Sequence, residues 1–227
     1  MAASPPELHV VDDPSTAIGD LLAEQARRGG SIVLTGGSSV DRAYKRAAER
    51  APDWSHVTVW WGDERCVPPD DELSNYRLAK ESLLDRLEAG PAEQHRIRGE
   101  LEPAAAAAEL DQALDGVALD FLLLGLGPDG HVASLFPGSP QLDEEDRRAV
   151  SGPPGLEPFV ERVTMTMPTL RSARRIVLIV AGEGKADAVA RAFGEDVSPD
   201  VPAGRLRLAP VPVEVYLDPP AAARLDR

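Results

Sequence analysis

Cysteine and histidine are both scarce in this sequence of 227 residues. Cys66 is the only cysteine, so no disulfide bond can form within the chain, which suits a reducing compartment. Of the four histidines, those at positions 9, 56 and 95 have no metal-ligand spacing to one another or to Cys66. We therefore predict neither a metal site nor a cofactor, and we expect Cys66 to be either structural or incidental.

Aromatic residues are also few, and long apolar runs are absent from the sequence. Phe, Trp and Tyr make up 4% of the chain, so the core has to be built mainly from Leu, Val, Ile and Ala. No stretch reaches the roughly 18 apolar residues that a membrane-spanning helix needs. The first ten residues lack the basic and apolar segments of a signal peptide. We expect a cytoplasmic protein with no membrane partner.

Basic residues are outnumbered by acidic ones. The chain has 24 Lys and Arg against 38 Asp and Glu, which gives a formal net charge of −14. Nucleic-acid binding requires a basic surface, and an acidic protein is repelled by anionic membranes, so neither partner is expected. An anionic small-molecule substrate is compatible with this charge only if a few specific cations capture it. We expect a monomer, and the sequence leaves an oligomer open.

Apolar segments that favour strands alternate with segments that favour helices. The predicted strands are Leu8–Val11, Ser31–Leu34, Val57–Trp61, Leu119–Leu124, Arg162–Met167, Ile176–Val180 and Val211–Leu217. Four predicted helices cover residues 16–28, 75–87, 103–114 and 219–225, and two more follow TGGSS and AGEGK and end at residues 50 and 193. Residues 90–102 are predicted to be irregular, and residues 138–158 to form a long surface loop. This alternation predicts one α/β domain over residues 1–227, with a mainly parallel sheet and helices on both faces.

Four polar loops follow predicted strands. They are TGGSS after Leu34, GDER after Trp61, GLGPDGH after Leu124 and AGEGK after Val180. In open α/β sheets, ligands bind at the carboxyl edge of the strands. If the strands are parallel, all four loops meet in one crevice, and this convergence indicates a site more strongly than any single motif.

The first of these loops has the composition of a phosphate-binding turn. Gly36 and Gly37 let the backbone approach a ligand, and the following helix offers free N–H groups to an anion. The alternative is an ordinary strand–helix turn in which Ser38 caps the helix.

The second and fourth loops carry charged side chains. Arg65 suits bidentate contact with a phosphate, and Asp63 suits a sugar hydroxyl or the orientation of a base. Lys185 lies at a helix start, where the helix dipole already attracts anions. The alternatives are that Asp63 and Arg65 belong to a surface ion-pair cluster and that Lys185 is a solvated lysine.

The richest segment is Gly125–Pro137, in which Asp129 and His131 are two residues apart. An unperturbed imidazole titrates near pH 6.5, which suits a general base, and a nearby carboxylate can fix its tautomer. Asp129 can instead bend the loop through an Asx-type bond, and a lone histidine is more often structural. The Gly-rich setting at the functional edge favours catalysis by His131, with backbone amides of the glycine loop as oxyanion donors.

Several motifs together resemble the 6-phosphogluconolactonase family. They are SIVLTGGSS, VTVWWGDERCVPPDDELSNYRLAKESLL, FLLLGLGPDGHVASLFPGSP, RVTMTMPTL and IVAGEGKADAV, in the family's order and spacing. The likeness runs from about residue 8 to residue 225, and the GDER…SN and GxGxDGHxASLFP blocks are its most specific parts. It implies one α/β domain related to glucosamine-6-phosphate deaminases.

The resemblance also implies an activity and roles for particular residues. The family hydrolyses 6-phosphoglucono-δ-lactone to 6-phosphogluconate in the oxidative pentose phosphate pathway and needs no metal. Its histidine falls on His131 and would activate water. Its phosphate and substrate contacts fall on Gly36, Gly37, Ser38, Arg65, Arg174 and Lys185. Arg174 precedes the strand at Ile176, so a straight strand would put it at the opposite edge.

Two alternatives to lactone hydrolysis are open. A deaminase–isomerase of the related class would need a glutamate where this chain has Phe136. A non-catalytic sugar-phosphate sensor would need a fused DNA-binding segment or a damaged loop, and the sequence shows neither. A serine hydrolase is not indicated, because there is no GxSxG motif.

Overall fold

The structure, a computed structural model of the chain, describes residues 4–195, 198 and 200–225. Its strands are β1 (Glu7–Val10), β2 (Gly30–Leu34), β3 (Val57–Trp61), β4 (Asp63–Arg65), β5 (Glu93–His95), β6 (Phe121–Gly125), β7 (Ala149–Gly152), β8 (Arg162–Met165), β9 (Ile176–Val180) and β10 (Val213–Leu217). Its helices are α1 (Pro14–Arg28), α2 (Val40–Arg50), α3 (Asn75–Ser82), α4 (Pro103–Ala113), α5 (Met167–Arg171), α6 (Ala186–Phe193), α7 (Pro202–Arg205) and α8 (Pro219–Ala222). Within these ranges no helix is both long enough and apolar enough to cross a membrane.

Seven strands form a parallel sheet in the order β1-β10-β9-β6-β2-β3-β5. Every residue of β9 is buried, and so are Phe121–Leu124 of β6. Because successive side chains of a strand point to opposite faces, helices and loops must cover both sides of the sheet centre. The predicted α/β class with a mainly parallel sheet is confirmed.

The strand order creates a crevice between β2 and β6. After β2, the strands β3 and β5 are added toward one edge of the sheet. The chain then returns to the other side of β2, where β6, β9 and β10 are added toward the opposite edge. The connections that leave β2 and β6 therefore run in opposite directions. Ligands bind at such a topological switch point in open α/β sheets.

Helix α1 shows why the boundaries were readable in the sequence. The Asp13 side chain accepts a hydrogen bond from the Ser15 amide at 3.1 Å, Pro14 occupies the first turn, and Gly29 ends the helix with φ of 76°. Its buried face, which includes Ile18 and Leu22, packs against α2 and the sheet.

A second sheet, which the sequence analysis did not predict, is antiparallel and has the order β4-β8-β7. Residues 138–158 are thus not a plain loop, because β7 lies within them and a 3₁₀ turn covers Pro140–Asp143. Only Ala149 and Val150 of β7 are buried, which is too few to produce an alternating pattern. Likewise, residues 90–102 contain the edge strand β5, whose sequence EQH is entirely polar.

Smaller differences concern where elements end. Helix α3 stops at Ser82 and a separate 3₁₀ turn follows at Leu84–Arg86, whereas one continuous helix was expected. Pro168 does not simply end a strand, because it lies in the first turn of α5, where its missing N–H costs no hydrogen bond.

Candidate active site

A cavity of about 610 Å³ opens at the carboxyl edge of the sheet. The four loops identified in the sequence all contribute to its wall, which confirms that they converge. Among the residues predicted for the site, those that line the cavity are Gly36, Gly37, Ser38, Asp63, Arg65, His131 and Lys185. Asp129 does not line the cavity but contacts the ring of His131, and Arg174 is away from the cavity, where it pairs with Asp120.

The β2–α2 loop forms the floor of one end of the cavity. A Cβ atom on Gly36 would lie 1.8 Å from Asn75 Oδ1, so only glycine fits there. The N-cap of α2 is Ser39 rather than Ser38, and its side chain makes no capping hydrogen bond. The first turn of α2 therefore begins at the cavity without a side-chain cap, and backbone N–H groups are available there for an anion.

Glu64 anchors the start of α3 beside the site. One of its carboxylate oxygens, Oε1, accepts from the amides of Arg65 and Asn75, both at 2.7 Å, and the other accepts from the Tyr76 amide at 2.8 Å and from Ser74 Oγ at 3.0 Å. Burial raises the pKa of Glu64, and the four hydrogen bonds, which favour the ionised form, offset only part of that rise. Its role is to position the loop that carries Arg65.

Replacement of Glu64 by alanine is expected to lower the free energy of unfolding by about 3 kcal/mol, because it leaves four donors near the start of α3 without their acceptor. Urea unfolding of the purified variant measures this. The matched control is Glu49→Ala on the exposed side of α2, which should change stability by less than about 0.5 kcal/mol. Equal stability of the two variants would refute the anchoring role.

Asp63 joins three parts of the site. Its Oδ2 accepts from Ser134 Oγ at 2.6 Å, and Asn75 Nδ2 donates to its carbonyl at 2.9 Å and to its Oδ1 at 3.2 Å. These bonds tie the histidine loop and α3 to β4. Asp63 has no hydrogen bond to His131, so the orientation of the base, one of its two expected roles, belongs to Asp129 instead.

Two cations at the cavity lack acidic partners. Arg65 Nη1 donates to the Leu73 carbonyl at 2.6 Å, and its buried Nε has no hydrogen-bond partner among the described residues. Within the same part of the chain, the ammonium group of half-buried Lys185 forms no hydrogen bond or ion pair. Burial lowers the pKa of Lys185, and the negative charge of Asp129 opposes that shift. On a chain with net charge −14, these two cations are the candidates for binding an anionic ligand.

His131 and Asp129 form a close pair. Asp129 Oδ1 lies 2.6 Å from His131 Nδ1 and accepts from the His131 backbone amide at 3.1 Å, so both roles weighed for Asp129 are combined in one atom. Burial would raise the pKa of Asp129, but the hydrogen bonds and the charge from His131 outweigh burial, so the pKa lies below its ordinary value. An ionised Asp129 requires the proton on Nδ1, which leaves Nε2 as the acceptor.

The glycine loop fits closely around this pair. A Cβ on Gly127 would lie 2.0 Å from His131 Nδ1, which explains why glycine is needed there. The amides of Gly127 and Gly130 donate to carbonyls of the loop itself, and the His131 amide donates to Asp129. These three amides are therefore occupied, and an oxyanion would have to use other backbone amides of the same segment. Ala133, which lines the cavity with φ of 49°, has an amide without a hydrogen bond in the described part of the chain.

Arg174 was expected to contact substrate, and the structure contradicts this. It follows α5 and precedes β9, so it lies at the amino edge of the sheet, opposite the cavity. Its Nη1 pairs with Asp120 Oδ1 at 2.6 Å, and 69% of its side chain is exposed. The sequence motif alone did not account for the direction in which β9 runs.

Two parts of the cavity wall were not predicted from the sequence: Asn75, and the segment that contributes Leu156, Glu157 and Phe159. Asn75 belongs to the specific GDER…SN block, but it was interpreted only as a helix start. The other three lie in a Pro- and Gly-rich stretch, where two apolar side chains in an otherwise polar loop were the available signal. Across residues 4–195, 198 and 200–225, no group of three or more His, Cys, Asp and Glu side chains is placed to hold a metal ion.

Comparison with known proteins gives a consistent result. The profile of the family described as glucosamine-6-phosphate isomerases/6-phosphogluconolactonase matches residues 9–212. The 6-phosphogluconolactonase of Mycobacterium leprae is 38% identical over 198 residues, which are 80% of this chain and 79% of the relative. That of Streptomyces coelicolor is 36% identical over 228 aligned positions, covering 90% of this chain and 85% of the relative.

Solved structures are similar over nearly the whole chain. The 6-phosphogluconolactonase from Leishmania guyanensis has a TM-score of 0.85 at 25% identity and covers 96% of this chain and 98% of its own. A monomeric glucosamine-6-phosphate deaminase has a TM-score of 0.83 at 20% identity, with 96% of this chain and 99% of its own covered. The second likeness shows the fold alone.

Proposed function

Since the chain belongs to the glucosamine-6-phosphate isomerase/6-phosphogluconolactonase family, we propose that it hydrolyses 6-phosphoglucono-δ-lactone to 6-phosphogluconate with His131 as the general base. The chain is an enzyme of the 6-phosphogluconolactonase type, as its relatives indicate. The observation that carries the mechanism is the pairing of His131 with ionised Asp129 in a cavity that is also lined by Arg65 and Lys185, two cations without an ion pair among the described residues.

The phosphate of the substrate binds between Arg65, Lys185 and the start of α2. Arg65 offers a planar donor pair, Lys185 offers a mobile point charge, and the helix start offers backbone N–H groups. The sugar hydroxyls then lie near Asp63, whose carboxylate oxygens have lone pairs beyond those already used. This arrangement brings the lactone carbonyl toward His131.

The chemical step needs one base that later acts as an acid. His131 Nε2 removes a proton from water, and the water oxygen forms a bond to C1 while the carbonyl oxygen takes the negative charge. The tetrahedral intermediate then collapses, the bond from C1 to the ring oxygen breaks, and His131 returns the proton to that oxygen. Asp129 holds the ring in the required tautomer and stabilises its cationic form. The Ala133 amide is our candidate for the oxyanion donor.

A deaminase activity is disfavoured by the surroundings of His131. Phe136, at the position where that class needs a glutamate, is only 8% exposed, and its ring centroid lies 4.6 Å from that of His131. An apolar ring there offers no proton for ring opening. The test compares proton release from fresh 6-phosphoglucono-δ-lactone with ammonia release from glucosamine 6-phosphate. We expect lactone hydrolysis well above the spontaneous rate, whereas ammonia release without lactone hydrolysis would replace this proposal.

A pH dependence follows from the lowered pKa of Lys185. Because its ammonium group loses the proton at a lower pH than an ordinary lysine, affinity for phosphorylated ligands should fall within the alkaline pH range below the ordinary lysine pKa of 10.5. The product 6-phosphogluconate is stable over this range, and its binding is measured by calorimetry. We expect up to about a tenfold loss of affinity in the wild type, the value of one ion contact of roughly 1.4 kcal/mol.

The matched control for this pH dependence is Lys185→Arg. A guanidinium keeps its charge throughout this pH range, so binding by the variant should stay nearly constant. The same decline in both proteins would show that another group causes it. The cytoplasmic location and the monomeric state stay predictions.

A further inference from the structure

The segment of residues 155–160, GLEPFV, forms part of the cavity wall. Leu156, Glu157 and Phe159 all contribute to the cavity wall. Phe159 is 69% exposed, and Leu156 is also among the exposed large apolar side chains of the described chain. A large exposed aromatic ring at the rim of a polar site is unfavourable in water and suggests that a ligand covers it.

One buried side chain holds this segment in place. Arg162, which is 4% exposed, donates to the carbonyls of Leu156 at 3.3 Å, Pro158 at 2.8 Å and Val160 at 3.1 Å. It has no carboxylate partner among the described residues, so these three carbonyls are its acceptors. Burying a charge without an ion partner costs free energy, and here the three hydrogen bonds to carbonyls offset that cost.

The 155–160 segment is connected to two parts of the proposed site, one near Arg65 and one near His131. At the phosphate end, Arg162 of β8 is the register partner of Arg65 of β4. At the other end, Gly155 lies against the ring of Phe136, where an added Cβ would be 2.3 Å from the ring, and Phe136 contacts His131. The segment is thus held by contacts with the same elements that carry Arg65 and His131.

We propose that Arg162 is a positioning residue for the reaction: it holds the 155–160 segment so that Phe159 and Leu156 form an apolar wall that packs on the carbon face of the bound sugar phosphate. This inference deepens the proposed function and rests on it. The alternative is that Arg162 serves only the stability of β8 and its neighbours, without any effect on ligand binding.

The test uses Phe159→Ala, Arg162→Lys and the double variant. An apolar wall contacts substrate and transition state alike, so each single change should raise KM for 6-phosphoglucono-δ-lactone about five- to tenfold and leave kcat within about twofold. Because both changes act through one segment, the double variant should show no larger rise in KM than the larger single one. Arg171→Lys is the matched control, since Arg171 is partly buried, donates to the Arg205 carbonyl at 2.9 Å and does not line the cavity.

Affinity for 6-phosphogluconate, measured by calorimetry on the same proteins, separates this inference from the proposed function. A weaker affinity in both single variants supports the wall even if the wild type does not hydrolyse the lactone. If Arg162→Lys does not fold, Phe159→Ala decides alone, because its exposed ring can be removed without disturbing the core. Unchanged KM and affinity in Phe159→Ala, a loss of kcat instead of a rise in KM, or multiplied effects in the double variant would each overturn the proposal.

Discussion

Replacement of His131 by asparagine is expected to lower kcat for 6-phosphoglucono-δ-lactone by about 10²-fold or more, because general-base catalysis by a positioned histidine is worth that much. The structure makes this variant informative. Asparagine retains a polar side chain near Asp129, so the loop keeps a partner for the carboxylate at the place where Nδ1 now lies at 2.6 Å. The lost function is the free Nε2, which has no equivalent in an amide.

The fold should survive this change. The His131 side chain is partly exposed in the cavity wall and its main partners are in its own loop, so the midpoint of thermal unfolding should move by only a few degrees. KM should change little, since the imidazole acts mainly in the transition state. Near-normal kcat in a folded protein would remove His131 from the mechanism and leave the cavity as a binding site only.

Replacement of Arg65 by methionine is expected to raise KM for the phosphorylated lactone by about 10- to 100-fold, the range for a charge-assisted hydrogen bond that is lost. Among the described residues, the buried Nε of Arg65 has no partner and its guanidinium forms no ion pair, so it can contact a phosphate without first breaking one. The effect on kcat should be smaller, because the phosphate does not change during the reaction.

Glucono-δ-lactone, which lacks the phosphate, is the control substrate for this variant. Its kcat/KM should be nearly the same in the wild type and in Arg65→Met, because this substrate has no phosphate for Arg65 to contact in either protein. Arg65→Lys should fall between the two, because lysine keeps the charge but not the planar donor pair. An equal loss for both lactones would show that Arg65 shapes the site through its hydrogen bond to the Leu73 carbonyl rather than by binding phosphate.

The parts of this molecule that sequence could predict are those with strong local patterns. Buried parallel strands such as Ile176–Val180 are continuous apolar runs, and polar loops at their carboxyl ends then follow from the fold class. For this reason the convergence of the loops that carry His131, Arg65 and Lys185 was foreseeable.

The parts that sequence did not reveal depend on contacts between distant residues. The second sheet pairs Asp63 with Thr164 and Val150 with Thr164, over short strands with no distinctive pattern. The role of Arg162 depends on where three carbonyls come to lie. The amides of Gly127, Gly130 and His131 are occupied by hydrogen bonds within their own loop. Arg174 was assigned by the resemblance and lies at the amino edge of the sheet, which its place before the Ile176 strand had already indicated.

The rate of lactone opening by the wild-type protein, with phosphorylated and unphosphorylated glucono-δ-lactone measured side by side, tests the central claim most directly. We predict hydrolysis of the phosphorylated lactone well above the spontaneous rate, and a kcat/KM for the unphosphorylated lactone at least about 10²-fold lower, since Arg65 and Lys185 then have nothing to bind. A rate no higher than the spontaneous one, or equal rates for the two lactones, would contradict this account.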